Sequence, residues 1–486
     1  MTSSRKTRLA AKSAALTARE TELRRKHWRA RLNSVLARML GGRQYVLKEL
    51  FWRCHGLVGR WRAAILRQPI PAQPQRATQA TRASTEYIVD LPSHFGARRA
   101  VVRLSVPKLP RGHIYSFSEH LRAPDGAMTD RVIACTTGGF ALSDDLGRTF
   151  REVRLKGFGH YPITHSRILK EDEILLQAVD PDDPGIAPKQ NSCLLISDLA
   201  GNVVHSAKVR GALWHGPRAV DLRDGTLMYA EYTQNGIRTG PQSPPHWPSR
   251  IWRSRDLGRS WEMVREEPDV RHFHFLQAHP RRKREWWLTA GDGADESRIW
   301  KSSDDGDTWV DQTGKFGNTV SIAGSVFSRR LFRLTDLIWD GEDLIWGSDD
   351  VLRPPHRHES KQGLLGARVF RGNPASGTVP AILGNCGPEV RNIVEVGDFY
   401  LLTTQSSHHY ANNDAPRVFL MPKTARGEAG GVHHLFDVER HAPGRTGFTY
   451  SRASRAAKNG VFFSFRTPTD VFRAQNRILK WEVRFD

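Results

Sequence analysis

Two hydrophobic periods divide the chain. Between Ala18 and Gln68 apolar residues recur at three- and four-residue spacing: Trp28, Leu32, Val35, Leu36, Met39 and Leu40 form one series, and Leu47, Leu50, Phe51, Cys54, Val58, Trp61 and Ile65 a second. That spacing places each series on one face of an α-helix, with Arg and Lys on the other face, and Gly41-Gly42 separates the two. From Glu86 onward the helical period gives way to short runs of β-branched and aromatic residues. RVIACTT, EILLQAV, TLMYAEY, EWWLTAG, DLIWGSD, FYLLTTQ and VFFSFRT begin near positions 131, 173, 226, 285, 343, 399 and 461. Each is followed by a second run: GFALS, SCLLIS, RIWRS, RIWKS, ARVFR, PRVFL and NRILKWEV. A repeat of roughly 40–60 residues is the period of a four-stranded propeller blade. The pattern predicts an all-β propeller of seven four-stranded blades, alternatively six, preceded by a short α-helical arm. Residues 68–85, QPIPAQPQRATQATRAST, have the composition of a linker. The expected organisation is an arm over 1–67, a linker over 68–85 and a propeller over 86–486.

Three of the second runs lead into one signature, S-x-D-x-G-x-[ST]-[FW]: Ser143 to Phe150, Ser254 to Trp261 and Ser302 to Trp309. Its chemistry is conformational. An Asp carboxylate accepts hydrogen bonds from turn amides, Gly supplies a positive φ, a hydroxyl closes the turn and the aromatic ring tucks into the blade. Ser197-Asp198-Leu199-Ala200-Gly201 reads as a decayed fourth copy where the blade period demands one. The signature resembles the Asp box of sialidases and related bacterial-neuraminidase-repeat propellers. In that family the boxes lie away from the ligand face, which implies a structural role for these aspartates.

In a propeller the innermost strand of each blade lines the axis, and loops at one rim build the pocket. The segments just before the first runs are polar: His165-Ser166-Arg167, His215-Gly216-Pro217-Arg218, His272-Phe273-His274, Arg333-Leu334-Thr335-Asp336, Glu389-Val390-Arg391-Asn392 and Tyr450-Ser451-Arg452. Converging guanidinium groups suit a carboxylate, sulfate or phosphate gripped bidentately. The alternative is that they pair with Asp and Glu of neighbouring blades. Arg167, Arg218, Asp336, Asp349, Arg391 and Arg452 are the candidate substrate-binding residues. The sialidase resemblance implies an Arg triad for a carboxylate, a Tyr/Glu nucleophilic pair and an Asp acid/base; Arg167, Glu231, Arg391 and Tyr450 follow that order. The nearest match to the family's Arg-Ile-Pro element is Arg167-Ile168-Leu169, which lies after the first box. His272 and His274 alternate along a strand and so point to one side. With Asp292 they are similar in outline to uronate-cleaving propeller lyases, in which a base removes a proton beside a neutralised carboxylate. Glu231, Asp292, His272, His274 and Tyr450 are therefore the candidate acids, bases and nucleophiles. No cofactor is expected, a divalent metal at His272 and His274 remaining the open alternative.

The 486 residues carry a formal charge of +22, and residues 1–85 hold 19 Lys and Arg against three Glu, so the charge belongs mostly to the arm. Its basic helices, with Trp28, Trp52 and Trp61 interleaved, suit an anionic membrane surface or a protein partner through residues 18–67. They lack a recognised nucleic-acid module, which argues against nucleic acid. Cys54, Cys135, Cys193 and Cys386 form no CxxC pair, as expected of buried thiols in a reducing compartment. The opening residues lack a secretory h-region and no run approaches 18 apolar residues, which predicts a cytoplasmic, membrane-peripheral protein. The expected function is a carbohydrate-active propeller, glycosidase- or lyase-like, that cleaves or binds an acidic oligo- or polysaccharide. A non-catalytic glycan- or protein-binding propeller tethered by its arm is the alternative.

Overall fold

The computed structural model describes residues 79–80 and 84–486, apart from 111–116, 123–127, 171, 181–190, 211–219, 232–247, 269, 271, 292–296, 317–319, 323–324, 328–331, 350–365, 405–415, 439–456 and 466–477. The expected helical arm and Cys54 lie outside the described residues. Residues Ala72–Asp486 form one compact unit.

Within that unit the chain makes seven antiparallel sheets of four or more strands. Six follow one another in sequence, and each begins with its innermost strand: Phe117–Arg122 in blade 1, Ile163–Ile168 in blade 2, Val220–Arg223 in blade 3, Phe273–Ala278 in blade 4, Leu334–Asp340 in blade 5 and Val390–Val396 in blade 6. Blade 7 is built from both ends of the ring. Val461–Phe465 is its innermost strand and Ile478–Phe485 its second, and the latter pairs with Arg99–Ser105, which pairs with Ser84–Asp90. The seven repeats in the sequence match seven blades. The last repeat is offset by one strand, because VFFSFRT is an innermost strand where its counterparts are second strands. Gln79–Ala80 adds a short outer strand, so part of the segment with linker composition belongs to the sheet. An outermost strand needs only backbone partners on one side, and its polar composition does not oppose pairing.

Packing closes the circle. Seven apolar clusters fill the seven blade boundaries, one for each. Val132, Ala134 and Ala141 of blade 1 meet Phe463 and Ile478 of blade 7, and Val394, Val396 and Leu401 of blade 6 meet Tyr87, Val102 and Trp481 of blade 7. Because each sheet is covered on both faces, its central strands read as continuous apolar runs. Trp286 and Trp287 show the consequence: Trp286 joins the cluster shared with Met228 and Ile251 of blade 3, and Trp287 the one shared with Leu337 and Trp346 of blade 5. Cys135, Cys193 and Cys386 are buried, and burial pushes the Cys193 and Cys386 thiols up to about 12. Among the described residues no helix is long and apolar enough to cross a membrane.

Antiparallel alternation gives the ring two rims. The lower rim carries the turns between first and second and between third and fourth strands, and many are tight, as at 224–225, 341–342 and 397–398. The upper rim carries the arrivals from preceding blades and the connections between second and third strands, among them 231–248, 349–366 and 405–416. The three S-x-D-x-G-x-[ST]-[FW] segments are turns between third and fourth strands and share one bonding pattern. In the first, Ser143 Oγ donates to Asp145 Oδ1 at 2.8 Å and accepts from Gly147 N at 2.8 Å, while Asp145 accepts from Thr149 N at 2.9 Å and Thr149 Oγ1 at 2.7 Å. Leu146 and Gly147 both have positive φ, and a Cβ on Gly147 would lie 2.3 Å from Phe463 Cζ in blade 7. Desolvation works to raise the Asp145 and Asp256 pKa values, but the turn hydrogen bonds outweigh it and hold both at about 2. The fourth segment keeps the device in shifted form: Asp198 takes the bonds of Asn202, which stands where the others have Thr or Ser.

Candidate functional site

Glu231, His272, Arg333, Asp349 and Glu389 all stand where a first strand starts or a second strand ends, on the upper rim near the axis. The innermost strands of blades 2, 4, 5 and 6 have their register broken close to that rim, between Ile163 and His165, Phe273 and Phe275, Leu334 and Leu337, and Val390 and Asn392. A bulge adds a residue to one strand and re-aims its side chain. His274, Asp336 and Arg391 occupy those positions. A hydrophobic pattern carries no mark of such an inserted residue, so the sequence named the residues without showing how they are turned.

In blade 4 the bulge brings the two imidazoles together, with His272 Nε2 and His274 Nε2 2.8 Å apart and both rings buried. His274 Nδ1 lies 3.1 Å from the carbonyl oxygen of Leu334 in blade 5. A carbonyl only accepts, so His274 Nδ1 is the donor in this contact. Leu334 follows Arg333, whose carbonyl accepts from Asp349 N at 2.7 Å. The Asp349 carboxylate lies between guanidinium groups of two blades: Oδ1 is 2.7 Å from Arg391 Nη1 and Oδ2 is 3.6 Å from Arg333 Nε. Glu389 is buried close by in the chain. His272, His274, Arg333, Asp349 and Arg391 thus form a continuous polar arc across blades 4, 5 and 6.

Other candidates are committed elsewhere. Arg167 pairs with Asp221 of blade 3, which also accepts from Ala278 N of blade 4 at 2.9 Å. Asp336 is fully buried and accepts from Leu337 N at 2.9 Å and from Ile393 N of blade 6 at 2.6 Å. Asp221 and Asp336 perform the same task, each tying its innermost strand to that of the next blade. Asp221 was not singled out from the sequence, although Asp221-Leu222 and Asp336-Leu337 share a dipeptide on an innermost strand. Glu231 is buried, accepting from Trp252 Nε1 at 2.8 Å and from Arg250 N at 3.2 Å. Its neighbour Tyr229 is held protonated well above the ordinary tyrosine range, by burial first and by the Glu231 charge second, with a Gln177 hydrogen bond acting against both. Arg218, Asp292, Tyr450 and Arg452 lie outside the described residues, though Gly291, which precedes Asp292, donates its N–H to His272 O at 3.2 Å. Among the described residues no group of three or more His, Cys, Asp or Glu side chains is arranged to hold a metal ion.

No protein-family model and no curated protein matches the sequence. Solved structures with a similar course of chain include a YCF48 bound to a D1 peptide, at 10% identity and TM-score 0.43, over 83% of this chain and 99% of that one. Sqt1 of Saccharomyces cerevisiae matches at 10% identity and TM-score 0.42, over 73% and 80% of the two chains. The Pan2 WD40 domain of Neurospora crassa matches at 8% and 0.42, over 84% and 97%. The propeller assignment rests on this chain's own sheet order and closed set of blade interfaces.

Proposed function

We propose that the ring binds an acidic glycan at its upper rim and does not hydrolyse it. The observation that carries this reading is the approach of Arg333 and Arg391, from adjacent blades, to a single carboxylate. Guanidinium groups set at that spacing favour a planar anion over a neutral hydroxyl. The fate of the other groups supports binding over hydrolysis. Glu231 uses both oxygens within blade 3, and Asp336 uses both on backbone N–H groups. A nucleophile or general acid needs to reach its substrate within hydrogen-bond distance. The Asp-box resemblance bears on this reading only through the architecture, since such rings host both enzymes and binding modules.

Calorimetric titration with uronate- and sialate-containing oligosaccharides, each beside a neutral analogue, tests the proposal. The acidic ligands should bind, R391A should weaken them about tenfold or more, and no shortened product should accumulate. Equal affinity for the neutral analogue, or an R391A protein as tight as wild type, defeats the reading.

A second reading, elimination from a uronate polymer with His272 as base, is favoured by the imidazole pair and its anchor on Leu334 O. It requires an unsaturated uronate end to appear with wild type and to vanish with H272A.

A further inference from the structure

We infer that Asp349 occupies the place that a ligand carboxylate takes, so that an acidic ligand binds by exchanging with it. The inference rests on the acidic-glycan reading and deepens it, from a class of ligand to a displacement step in which one carboxylate replaces another and no covalent bond changes.

The way Asp349 is held sets it apart from the other hub carboxylates. Asp221 and Asp336 each accept aligned backbone hydrogen bonds from the next blade, which fixes them in place. Asp349 Oδ1 approaches Arg391 Nη1 at 2.7 Å without accepting an aligned hydrogen bond, and Oδ2 meets Arg333 Nε only at 3.6 Å. Contacts of this kind are held by charge and lack the directed component that makes a forked carboxylate–guanidinium pair strong. A carboxylate with freedom to orient gains what Asp349 forgoes.

Access and connectivity fit the same step. The Asp349 and Arg391 side chains are 5% and 9% exposed, whereas Arg333 is 28% exposed, so the cluster opens to solvent on the side of blade 5. Asp349 directly follows Ser348, the last residue of its strand, and its side chain swings away without breaking the pairing of Asp343–Ser348.

The test uses the full chain, with glucuronate as the probe and glucose as the uncharged control, followed by calorimetry. Removing the internal competitor with D349N should tighten glucuronate about tenfold relative to wild type, the worth of one charge-assisted contact, and leave glucose unbound. D349E retains a competing carboxylate and a folded ring, and should bind glucuronate as weakly as wild type. Adding R391A to D349N should abolish the gain. The inference is overturned if D349N, shown to be folded by near-ultraviolet circular dichroism, binds glucuronate no tighter than wild type. It is equally overturned if D349E and D349N behave alike. A D349N that fails to fold shifts the comparison to D349E and D349Q, with the same criterion. Should D349N gain glucuronate while acidic oligosaccharides fail to bind any form, the glycan reading falls and the exchange stands. Should oligosaccharides bind wild type and D349N equally, the exchange alone falls.

Discussion

Asp336 of blade 5 accepts a 2.6 Å hydrogen bond from the backbone N–H of Ile393 in blade 6, and this one contact ties two innermost strands together beside the axis. A side chain whose residue type suggested ligand binding is spent on holding the ring. Asp221 stands in the same relation to Ala278 two blades earlier.

Replacing Asp336 with Ala strands two buried N–H groups, those of Leu337 and Ile393. Hydrogen bonds to a charged acceptor contribute about 1.5–3 kcal/mol each, and an orphaned buried donor adds its desolvation cost. D336A should therefore lower unfolding stability in urea by about 3 kcal/mol while leaving the affinity of a folded fraction for acidic glycans unchanged. A stable D336A protein that no longer binds would assign the residue to the ligand instead.

Trp481 is fully buried, stacks on Phe462 and donates from Nε1 to Ser464 Oγ at 2.8 Å. It sits on the strand that joins the C-terminal end of the ring to Arg99–Ser105. W481A removes a large core side chain at the ring's closure and should cost about 3–5 kcal/mol. Denaturant unfolding compared with W300A, buried between blades 3 and 4, will show whether the closure is unusually sensitive.

His279 is fully buried, and its Nδ1 accepts from Arg281 N at 3.1 Å and Arg282 N at 3.0 Å. Burial foremost depresses its pKa to about 4, the Glu285 charge opposing and Arg282, Lys301 and Arg223 assisting. The unfolded chain keeps a value near 6.5 and so binds the proton first as pH falls. Stability from neutral His279 is thus complete above about pH 6.5 and drains away toward pH 4, with a limiting slope of about 1.4 kcal/mol per pH unit. H279N, which retains an acceptor for the two N–H groups, should show a flatter dependence of melting temperature between pH 6.5 and 4. Parallel curves for the two proteins would rule the assignment out.

Asp145 and Asp256, held at about 2 by their turns, act at lower pH. The unfolded carboxyls take up protons near 3.8, so these turns contribute their full stability above that value and lose it as pH falls toward 2. D145N and D256N should each remove part of the acid-induced loss of stability, measured by denaturant unfolding at pH 2.5 and 5. Substituting Gly147 with Ala tests the turn independently, since a Cβ there meets Phe463 and the backbone has positive φ. A loss of about 2 kcal/mol is expected.

Local order along the chain was sufficient to announce most of the architecture. Seven spaced apolar runs of strand type and three S-x-D-x-G-x-[ST]-[FW] turns all depend on neighbours within about ten residues, and such interactions leave a direct trace in residue order. Closure was not legible in that way. Strand 99–105 carries nothing in its composition to say that one of its partners lies near residue 480, because antiparallel pairing is set by register and burial and not by a code between distant segments. The same limit governs the site. His274, Asp336 and Arg391 were visible as polar residues in apolar surroundings, but a bulge decides which way each points, and only the packing of neighbouring blades decides that Arg391 meets Asp349 while Asp336 meets a backbone N–H. Residue types set the available chemistry; the fixed distances across blade boundaries decided which of these groups bind the protein to itself and which face a ligand.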